Sequence, residues 1–360
     1  MKSLYSIFTM KPKIAVYALA KNESKHVARW LTSSLKADYH LIADTGSTDE
    51  TVAIAKSLGI NVIEIKVEPW RFDIARNLSL DALPDDIDYC VALDMDEVLT
   101  PGWREQLEKA HSEGIERPQY RFITSWDEKG KALTELDGFR IHKRHGMTWV
   151  HPIHEVLRCT EGEDKHKVYP FEVHHLPDHD KPRNYLKQLE AAVKEDPNAR
   201  NLYYLAREYF GHSKLDKAQK VIKRYLKVSE FDAEKSYALR MLAKCEVHKQ
   251  EHWLLASMET YPSRESVLAL ANYYYTNQRW QECNYVAKRG LDFKERSSEF
   301  LSENWAWGHM GYDLAAVSAW KLGKYQEAYE YGQQAVLKSP NDETLQNNLK
   351  SYREKIDANL

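Results

Sequence analysis

A short, wholly apolar run that ends in acidic residues constrains the fold of this chain most strongly. Tyr89–Leu93, with the sequence YCVAL, shows no alternation of polar and apolar residues, which is typical of a central strand buried on both faces of a sheet. Asp94-Met95-Asp96 follows directly, at the carboxyl end, where open α/β sheets bind ligands. Carboxylate oxygens spaced in this way suit Mg²⁺ or Mn²⁺ held together with a substrate diphosphate. An isolated pair of this kind also occurs in solvated turns, so the surrounding sequence has to decide.

The sequence before this run alternates strand and helix patterns. Earlier strands are predicted at Lys13–Leu19, Tyr39–Ala43 and Ile60–Val67. Helices are predicted between them at Ser24–Leu35, from the Thr48-Asp49 cap to Leu58, and at Phe72–Leu83. A β-α-β-α-β-α-β series with short links indicates a parallel sheet with right-handed crossovers. Further elements are predicted at Pro101–His111 (helix), Gln119–Trp126 and Val168–Val173 (strands).

Four short motifs lie in order along the same region. They are Ala20–Glu23 (AKNE), Asp44–Asp49 (DTGSTD), Phe72–Asn77 (FDIARN) and Asp94–Glu97 (DMDE). In order and spacing they resemble the motifs of family 2 glycosyltransferases, over about the first half of the chain. The resemblance implies the GT-A fold, a mostly parallel Rossmann-like sheet, and a nucleotide-sugar donor.

The resemblance assigns donor-binding roles to four residues. Asp44 ends a strand and would accept a hydrogen bond from the base, as the matching Asp does for uracil in similar enzymes; it could instead cap the following turn. Arg76 has a planar fork that could clamp the diphosphate, although an Arg on a helix face is otherwise usually solvated. Asn22 and Glu23 would line the nucleoside pocket, but Asn-Glu is also ordinary at a helix start.

The metal and its surroundings are assigned in the same way. Asp94 would face the ribose and a metal-bound water, and Asp96 would bind Mn²⁺ or Mg²⁺ directly. His174-His175 ends a strand where, in similar enzymes, a His completes the metal site or contacts the diphosphate. The other interpretation is a histidine pair at a strand end with one buried ring.

The catalytic base is predicted among three carboxylates. Arg140–Glu155 contains four His, two Arg and a Trp, and its ending, Trp149-x-x-x-x-His154-Glu155, is similar to sequences in the same transferase group. An inverting transfer needs a carboxylate that deprotonates the acceptor, opposite the metal that stabilises the leaving diphosphate. Glu155 is the preferred base, with Asp127 and Glu97 as rivals. Glu155 could instead be a structural ion-pair partner.

The sequence changes character at Lys181-Pro182, where strand patterns give way to helical ones. Setting Ala218, Cys283 and Ala328 in register aligns small and large residues upstream of each, which resembles the tetratricopeptide pattern with its period of about 34 residues. A degenerate copy fits between residues 233 and 262, and residues 344–356 fit a capping helix. We therefore expect a catalytic α/β domain at residues 1–180 and an all-α helical-repeat solenoid at residues 181–360.

Composition restricts the class of partner and the location. The 51 Lys and Arg against 54 Asp and Glu give a net charge of −3, which does not favour nucleic-acid binding. No run reaches the roughly 18 apolar residues of a membrane span, so we expect no integral membrane segment. The four cysteines show no CxxC spacing, which is consistent with reduced thiols in a cytoplasmic protein.

The resemblance thus implies a metal-dependent, inverting glycosyltransferase that moves a sugar onto a glycan or a protein, and UDP-sugars are expected as donors over GDP- or dTDP-sugars by their frequency in the family. A lipopolysaccharide core or another surface glycan is one alternative acceptor. The repeats could hold a protein acceptor, form a homodimer or cap the catalytic domain. The alternative from another class is a non-catalytic repeat adaptor whose GT-A domain binds a nucleotide without turnover.

Overall fold

The computed structural model describes residues 11–126, 130, 132–162, 164–178, 185–296 and 302–358. The chain divides into two compact units, one that ends at Ala192 and one that begins at Val193. An α/β unit followed by a helical unit confirms the predicted fold class. The predicted boundary between residues 180 and 181 lies outside the described residues and stays a prediction.

The N-terminal unit is built on a five-stranded sheet. Its strands are β1 (Ile14–Ala20), β2 (Tyr39–Asp44), β3 (Asn61–Glu64), β4 (Tyr89–Ala92) and β8 (Ile141–Lys143), in the order β3-β2-β1-β4-β8. The first four are parallel, as expected, and β8 is an antiparallel edge strand next to β4. The helices of this part are α1 (Val27–Ser34), α2 (Thr51–Ser57), α3 (Phe72–Asp81) and α4 (Trp103–Ser112).

Alternating side chains of β1 bury both faces of this sheet. Val16 packs in one core with Trp30 of α1, and Tyr17 packs in another with Leu80 of α3. All four residues of β4 are buried, which confirms the two-sided burial inferred from its uninterrupted apolar run. The parallel strands therefore present their carboxyl ends at one edge, where Asp44 and the loop after β4 lie.

A second sheet brings distant segments to that edge. Its strands are β5 (Glu97–Leu99), β11 (His166–His175), β6 (Arg117–Trp126) and β7 (Ala132–Gly138), in the order β5-β11-β6-β7. The strand β5 runs antiparallel to β11, so that Glu97 is opposite His175. A two-stranded ribbon, β9 (Met147–Val150) with β10 (Val156–Cys159), completes the described strands. The pairing of β5 with β11, which are more than 70 residues apart in the sequence, brings the acidic loop after β4 next to His174 and His175.

The second unit consists of helices. In chain order they are α5 (Leu186–Glu195, which includes the boundary), α6 (Ala199–Gly211), α7 (Leu215–Val228), α8 (Asp232–Cys245), α9 (Gln250–Thr260), α10 (Arg264–Thr276), α11 (Trp280–Leu291), α12 (Asn304–Trp307), α13 (Met310–Lys321), α14 (Tyr325–Lys338) and α15 (Glu343–Asp357), with a short 3-10 turn at Val247–Lys249. Within the described ranges, none of the helices combines the length and the apolar character needed to cross a membrane.

The small residues used to align the repeats occupy equivalent places. Ala218 on α7, Cys283 on α11 and Ala328 on α14 are each 0 % exposed, on the second helix of the pairs α6/α7, α10/α11 and α13/α14. The pair α8/α9 corresponds to the predicted degenerate copy, and α15 corresponds to the predicted capping helix. Small side chains recur at these positions because interiors packed to this density leave no room for larger ones.

Candidate active site

Most of the predicted site residues line one cavity. This site cavity has a volume of about 1030 Å³ and opens beyond the carboxyl ends of β1 and β4. Its lining includes Asn22, Glu23, Arg76, Asp94, Asp96, Glu97, Arg140, Glu155 and His175. A second cavity of about 910 Å³ has four lining residues in common with it, Leu19, Lys21, Trp70 and Phe72, and also contains Asp44. We call the second one the Asp44 cavity; together the two provide room for an extended ligand.

Asp94 is held between two arginines. Its Oδ1 accepts a hydrogen bond from Arg76 Nη2 at 2.6 Å, and its Oδ2 accepts one from Arg140 Nη1 at 2.5 Å. Burial disfavours the charged form of Asp94, but the adjacent charges of Arg140 and Arg76 outweigh burial and hold its pKa well below the usual range. Asp94 is therefore an ionised, fully engaged carboxylate at neutral pH, and its role is to anchor both guanidinium groups.

The same two arginines hold two further carboxylates. Arg76 Nε donates to Glu155 Oε1 at 3.0 Å, and Arg140 donates through Nη2 to Glu97. Glu97 is only 1 % exposed and also accepts the backbone N–H of Asp94 at 2.9 Å. Burial, opposed by Arg140 and reinforced by the charge of Asp94, raises the pKa of Glu97 to about 6. Glu97 thus holds the loop after β4 in place through the Asp94 backbone and Arg140.

Arg76 is almost completely buried, with 3 % of its surface exposed. Two of its three guanidinium nitrogens are occupied by Asp94 and Glu155, and Nη1 has no hydrogen-bond partner among the described residues. The diphosphate clamp predicted for Arg76 would therefore have to use Nη1. The contacts present give Arg76 a second task, which is to hold two acidic side chains in place.

Asp96 and His175 meet at the edge of the site cavity. His175 Nε2 lies 3.2 Å from Asp96 Oδ2, and the His175 ring stacks on Phe122 with centroids 5.8 Å apart. The neighbouring His174 lies on the other side of β11, since successive strand residues point to opposite faces. His174 Nε2 contacts Glu172 at 2.6 Å, and the His174 ring lies against that of Trp126.

The described residues contain no group of three or more His, Cys, Asp or Glu side chains arranged to hold a metal ion. Of the four residues predicted for the metal, Asp96 and His175 come together, Asp94 is engaged by arginines, and His174 is outside the lining of the site cavity. Asp127, one of the predicted bases, lies outside the described residues.

Asp44 combines an occupied oxygen with a vacant one. Its Oδ2 accepts the backbone N–H groups of Gly46 at 3.0 Å and Ser47 at 2.9 Å, as the capping interpretation expects. Its Oδ1 is buried and has no partner within the described part of the chain. A buried carboxylate oxygen without a donor is costly, so it commonly marks the position of a missing donor.

The Asn22–Glu23 segment organises the loop that follows Asp44. Asn22 Oδ1 accepts the backbone N–H of Thr48 at 2.7 Å, and the Glu23 N–H donates to Thr51 Oγ1 at 2.8 Å. Asn22 has φ = 56° and His154, across the site cavity, has φ = 51°. Left-handed backbone at non-glycine residues is uncommon and concentrates at functional sites.

A buried chain of hydrogen bonds that the sequence did not reveal supports Arg76 from below. Trp149 Nε1 donates to Tyr17 Oη at 2.8 Å, and Tyr17 Oη lies 3.2 Å from His142 Nε2. Burial lowers the pKa of His142 to about 4, and its Nδ1 lies 2.7 Å from the carbonyl of Lys143. The neutral ring must therefore donate through Nδ1, so Nε2 accepts the Tyr17 hydroxyl proton.

This chain of hydrogen bonds ends at Trp149, whose ring contacts Arg76. The Arg76 guanidinium lies over the Trp149 ring at 5.3 Å, which is within range of a cation–π contact. Asn77 fixes Trp149 from the other side, since its side chain bonds both the N–H (2.8 Å) and the carbonyl (2.9 Å) of Trp149. Neither Tyr17 nor Arg140 was among the predicted site residues. The one signal in the sequence was the three carboxylates after β4, because several carboxylates in a buried loop need more than one basic partner.

Comparison with known proteins finds similarity to the N-terminal part of the chain. Residues 16–119 match the family model described as glycosyl transferase family 2. Glycosyltransferases of Rickettsia conorii (32 % identical over 101 residues) and Rickettsia felis (33 % over 97 residues) match 28 % and 27 % of the chain. The matched segments span only about a third of those relatives, 34 % and 33 % of their lengths.

Solved structures resemble the chain only weakly. A thermophilic tetratricopeptide protein of Thermus thermophilus is 18 % identical and covers 46 % of this chain and 88 % of its own, with a TM-score of 0.32. Glucosyl-3-phosphoglycerate synthase of Mycobacterium tuberculosis, solved with Mn²⁺, UDP and glucosyl-3-phosphoglycerate, is 25 % identical and covers 32 % of this chain and 44 % of its own, with a TM-score of 0.27. Both TM-scores are too low to define a shared fold.

Proposed function

We propose that this protein is a divalent-metal-dependent, inverting glycosyltransferase that transfers a sugar from a UDP-sugar to a hydroxyl or other nucleophile of a glycan or protein. The observation that carries the proposal is the meeting of Asp96 and His175 in the same cavity as Asp94, Arg76 and Glu155. The family 2 domain at residues 16–119 supports the glycosyl transfer role.

Asp96 and His175 are the proposed metal ligands. Their 3.2 Å separation is close to the roughly 3.0 Å between adjacent ligand atoms of an octahedral ion with bonds of about 2.1 Å. Mg²⁺ and Mn²⁺ are commonly held by one or two protein side chains together with substrate phosphates and water, so two side chains fit the ion. A bound ion would supply a Lewis acid for the charge that develops on the departing diphosphate.

Glu155 is the proposed base. It lines the site cavity, and its Oε1 is fixed by Arg76 Nε, which orients the carboxylate toward one direction of attack. Glu97 suits this role less well, because it is 1 % exposed and both of its oxygens are committed to Arg140 and the Asp94 backbone. In the proposed reaction Glu155 takes the proton of the acceptor nucleophile as it attacks the anomeric carbon, and the bond between that carbon and the diphosphate oxygen breaks to release UDP.

Asp44 supports the choice of a uridine nucleotide. Its vacant, buried Oδ1 matches the N3–H donor of uracil, while the Asn22 contact with Thr48 holds the neighbouring loop. The Asp44 cavity and the site cavity meet at Trp70 and Phe72, so a base near Asp44 and a diphosphate near Asp96 would belong to one extended donor.

The acceptor is proposed only as a class, a glycan or a protein. The comparisons give no support to a homodimer through the repeats, and none is proposed.

Calorimetric titration of the full chain with UDP and a panel of UDP-sugars, with and without Mn²⁺, tests the donor site. We expect Mn²⁺-dependent binding of UDP that weakens at least tenfold in Asp96→Asn, because a carboxylate ligand is lost, and in Asp44→Asn, because base recognition is lost. Mn²⁺ binding without nucleotide should weaken in Asp96→Asn and remain in Asp44→Asn. The control is Asp85→Asn, whose side chain is 95 % exposed and away from both cavities.

Two outcomes would overturn the proposal. If UDP bound equally well with and without Mn²⁺ and equally well to Asp96→Asn, the assignment of the metal site would be wrong. Binding of UDP without turnover of any UDP-sugar in the native protein would favour a nucleotide-binding adaptor instead.

A further inference from the structure

Two neighbouring cavities lie within the helical unit, and neither has a lining residue in common with the site cavity or the Asp44 cavity. The smaller one, the Arg264 cavity, has a volume of about 230 Å³ and is lined by residues that include Arg240, Arg264, Glu265, Glu295 and Trp307. The larger one, of about 450 Å³, is lined mainly by aromatic and aliphatic side chains, among them Phe210, Tyr237, Met241, Leu254 and Trp305. Arg240 lines both. A polar and an apolar recess therefore lie side by side.

Arg264 is the unusual member of this pair of cavities. It is only 5 % exposed and makes no ion pair among the described residues. Nη1 donates to the carbonyl of Phe293 at 3.2 Å, whereas Nε and Nη2 are buried with no partner in the described part of the chain. Burying guanidinium donors without acceptors is unfavourable, so this arrangement indicates a missing acceptor at Nε and Nη2.

The unpaired atoms define the shape of that partner. Nε and Nη2 form one complete edge of the guanidinium fork, and this edge matches the two oxygens of a carboxylate. The guanidinium is kept in place by its stacking over the Trp307 ring at 4.6 Å and by the Phe293 bond. The vacant edge is therefore positioned in advance, which lowers the entropy lost when a ligand pairs with it.

Glu265, the acidic neighbour of Arg264, makes no ion pair with it among the described residues. Glu265 is 5 % exposed, and its Oε1 accepts the Trp307 indole N–H at 2.8 Å and the Glu303 backbone N–H at 3.1 Å. With Glu265 and Glu295 both in the lining, a doubly charged phosphate would be repelled more strongly than a singly charged carboxylate. The charges thus favour a monoanion.

We propose that the helical unit binds a peptide segment in which an Asp or Glu side chain pairs with the Nε–Nη2 edge of Arg264 while an adjacent apolar side chain enters the larger cavity. An acidic side chain suits the deeply buried edge because its methylene groups extend the carboxylate beyond the peptide backbone. We expect an apolar side chain next to the acidic one because the larger cavity, which adjoins the Arg264 cavity at Arg240, is lined by aromatic residues. This inference does not depend on the transferase activity.

Fluorescence anisotropy with two labelled, terminally blocked peptides tests the proposal on the full chain. One peptide has the sequence Gly-Ser-Gly-Leu-Glu-Gly-Ser-Gly, and the other has Gln in place of Glu. We expect saturable binding of the Glu peptide below about 1 mM and at least tenfold weaker binding of the Gln peptide, as for loss of a charge-assisted hydrogen-bond pair.

The variants separate a binding role from a structural one. Arg264→Met should lose the preference for the Glu peptide and yet unfold at the same or a higher temperature, because an apolar chain replaces an unpaired buried charge. Arg264→Lys keeps the charge and lacks the fork, so it should also bind at least tenfold more weakly. Arg279→Met is the matched control, since Arg279 is paired with Glu251 and Glu282 in the same unit and should leave peptide binding unchanged.

Three results would overturn the inference. They are the absence of saturable binding of the Glu peptide to the native chain, equal binding of the Glu and Gln peptides, and unchanged binding to folded Arg264→Lys. Binding only of a version with a free C-terminal carboxylate in place of the Glu would also contradict it, because the recognised group would then be the chain end.

Discussion

Removing the hydroxyl of Tyr17 should destabilise the N-terminal unit far more than the loss of one oxygen atom suggests. Tyr17 Oη accepts the indole N–H of Trp149 and donates to Nε2 of the neutral His142. In Tyr17→Phe both partners remain buried, since Trp149 is 2 % exposed and His142 is 0 % exposed. Among the described residues neither has another partner for the affected atom, and no water is expected to fit in a space left by a single oxygen.

The magnitude follows from counting the orphaned groups. Each buried donor or acceptor left unsatisfied costs about 1–3 kcal/mol, so two of them lower the free energy of unfolding by about 2–6 kcal/mol. Because Trp149 carries the guanidinium of Arg76 at 5.3 Å, the same change should also loosen Arg76 and weaken nucleotide binding in the presence of metal.

Native-state hydrogen exchange measured by mass spectrometry is suited to this test, because the two units need not unfold together. The matched control is Tyr203→Phe in α6. Tyr203 is fully buried and its hydroxyl has no partner among the described residues, so its removal should be neutral or slightly stabilising. If β1 in Tyr17→Phe kept native protection, or if both substitutions cost the same, the hydrogen-bond chain would be refuted.

Two other predictions concern stability. Lowering the pH from about 6.5 to 4 should destabilise the N-terminal unit by about 3 kcal/mol through His142. The pKa of His142 is near 4 in the folded state and near 6.5 in the unfolded state, so the folded state binds fewer protons in this window. In urea titrations of His142→Asn the free energy of unfolding should depend less on pH, and an unchanged pH dependence would contradict the assignment. Gly290→Ala should cost about 1–3 kcal/mol, because its Cβ would lie 2.6 Å from Leu268 Cδ2, whereas Gly211→Ala meets nothing within 4 Å and should be close to neutral in the same denaturation assay.

The parts of the fold that were predicted correctly depend on local patterns. The buried strand β4 and the repeating small residues of α7, α11 and α14 leave periodic signals within a few turns or residues. The edge strand β8 was missed because three residues, Ile141–Lys143, are too short to show alternation. Its partner β4 is about 50 residues away, and pairing at that distance leaves no signal in a single sequence.

In the candidate site, too, some features could be predicted from local sequence and others depend on long-range pairing. The sequence identified the carboxylates after β4, because residue type and strand-end position suffice for that inference, and most of the predicted residues do line one cavity. It did not identify which arginine meets which carboxylate. Asp94 is bonded to Arg140, 46 residues further along the chain, and this pairing depends on how β8 docks against β4. Strand alternation separates His174 from His175, but only the pairing of β11 with β5 decides which of them reaches Asp96.

The most direct test of the proposed function is turnover of UDP-sugars by the native protein with and without Mn²⁺, measured as UDP release and compared with Glu155→Gln and Asp96→Asn. We expect metal-dependent UDP release with at least one sugar, abolished by EDTA and restored by Mn²⁺. Glu155→Gln should bind the donor normally and lose transfer to an acceptor by at least a hundredfold, whereas Asp96→Asn should lose both. Metal-independent turnover, or full activity in Asp96→Asn, would contradict the assignment of this site.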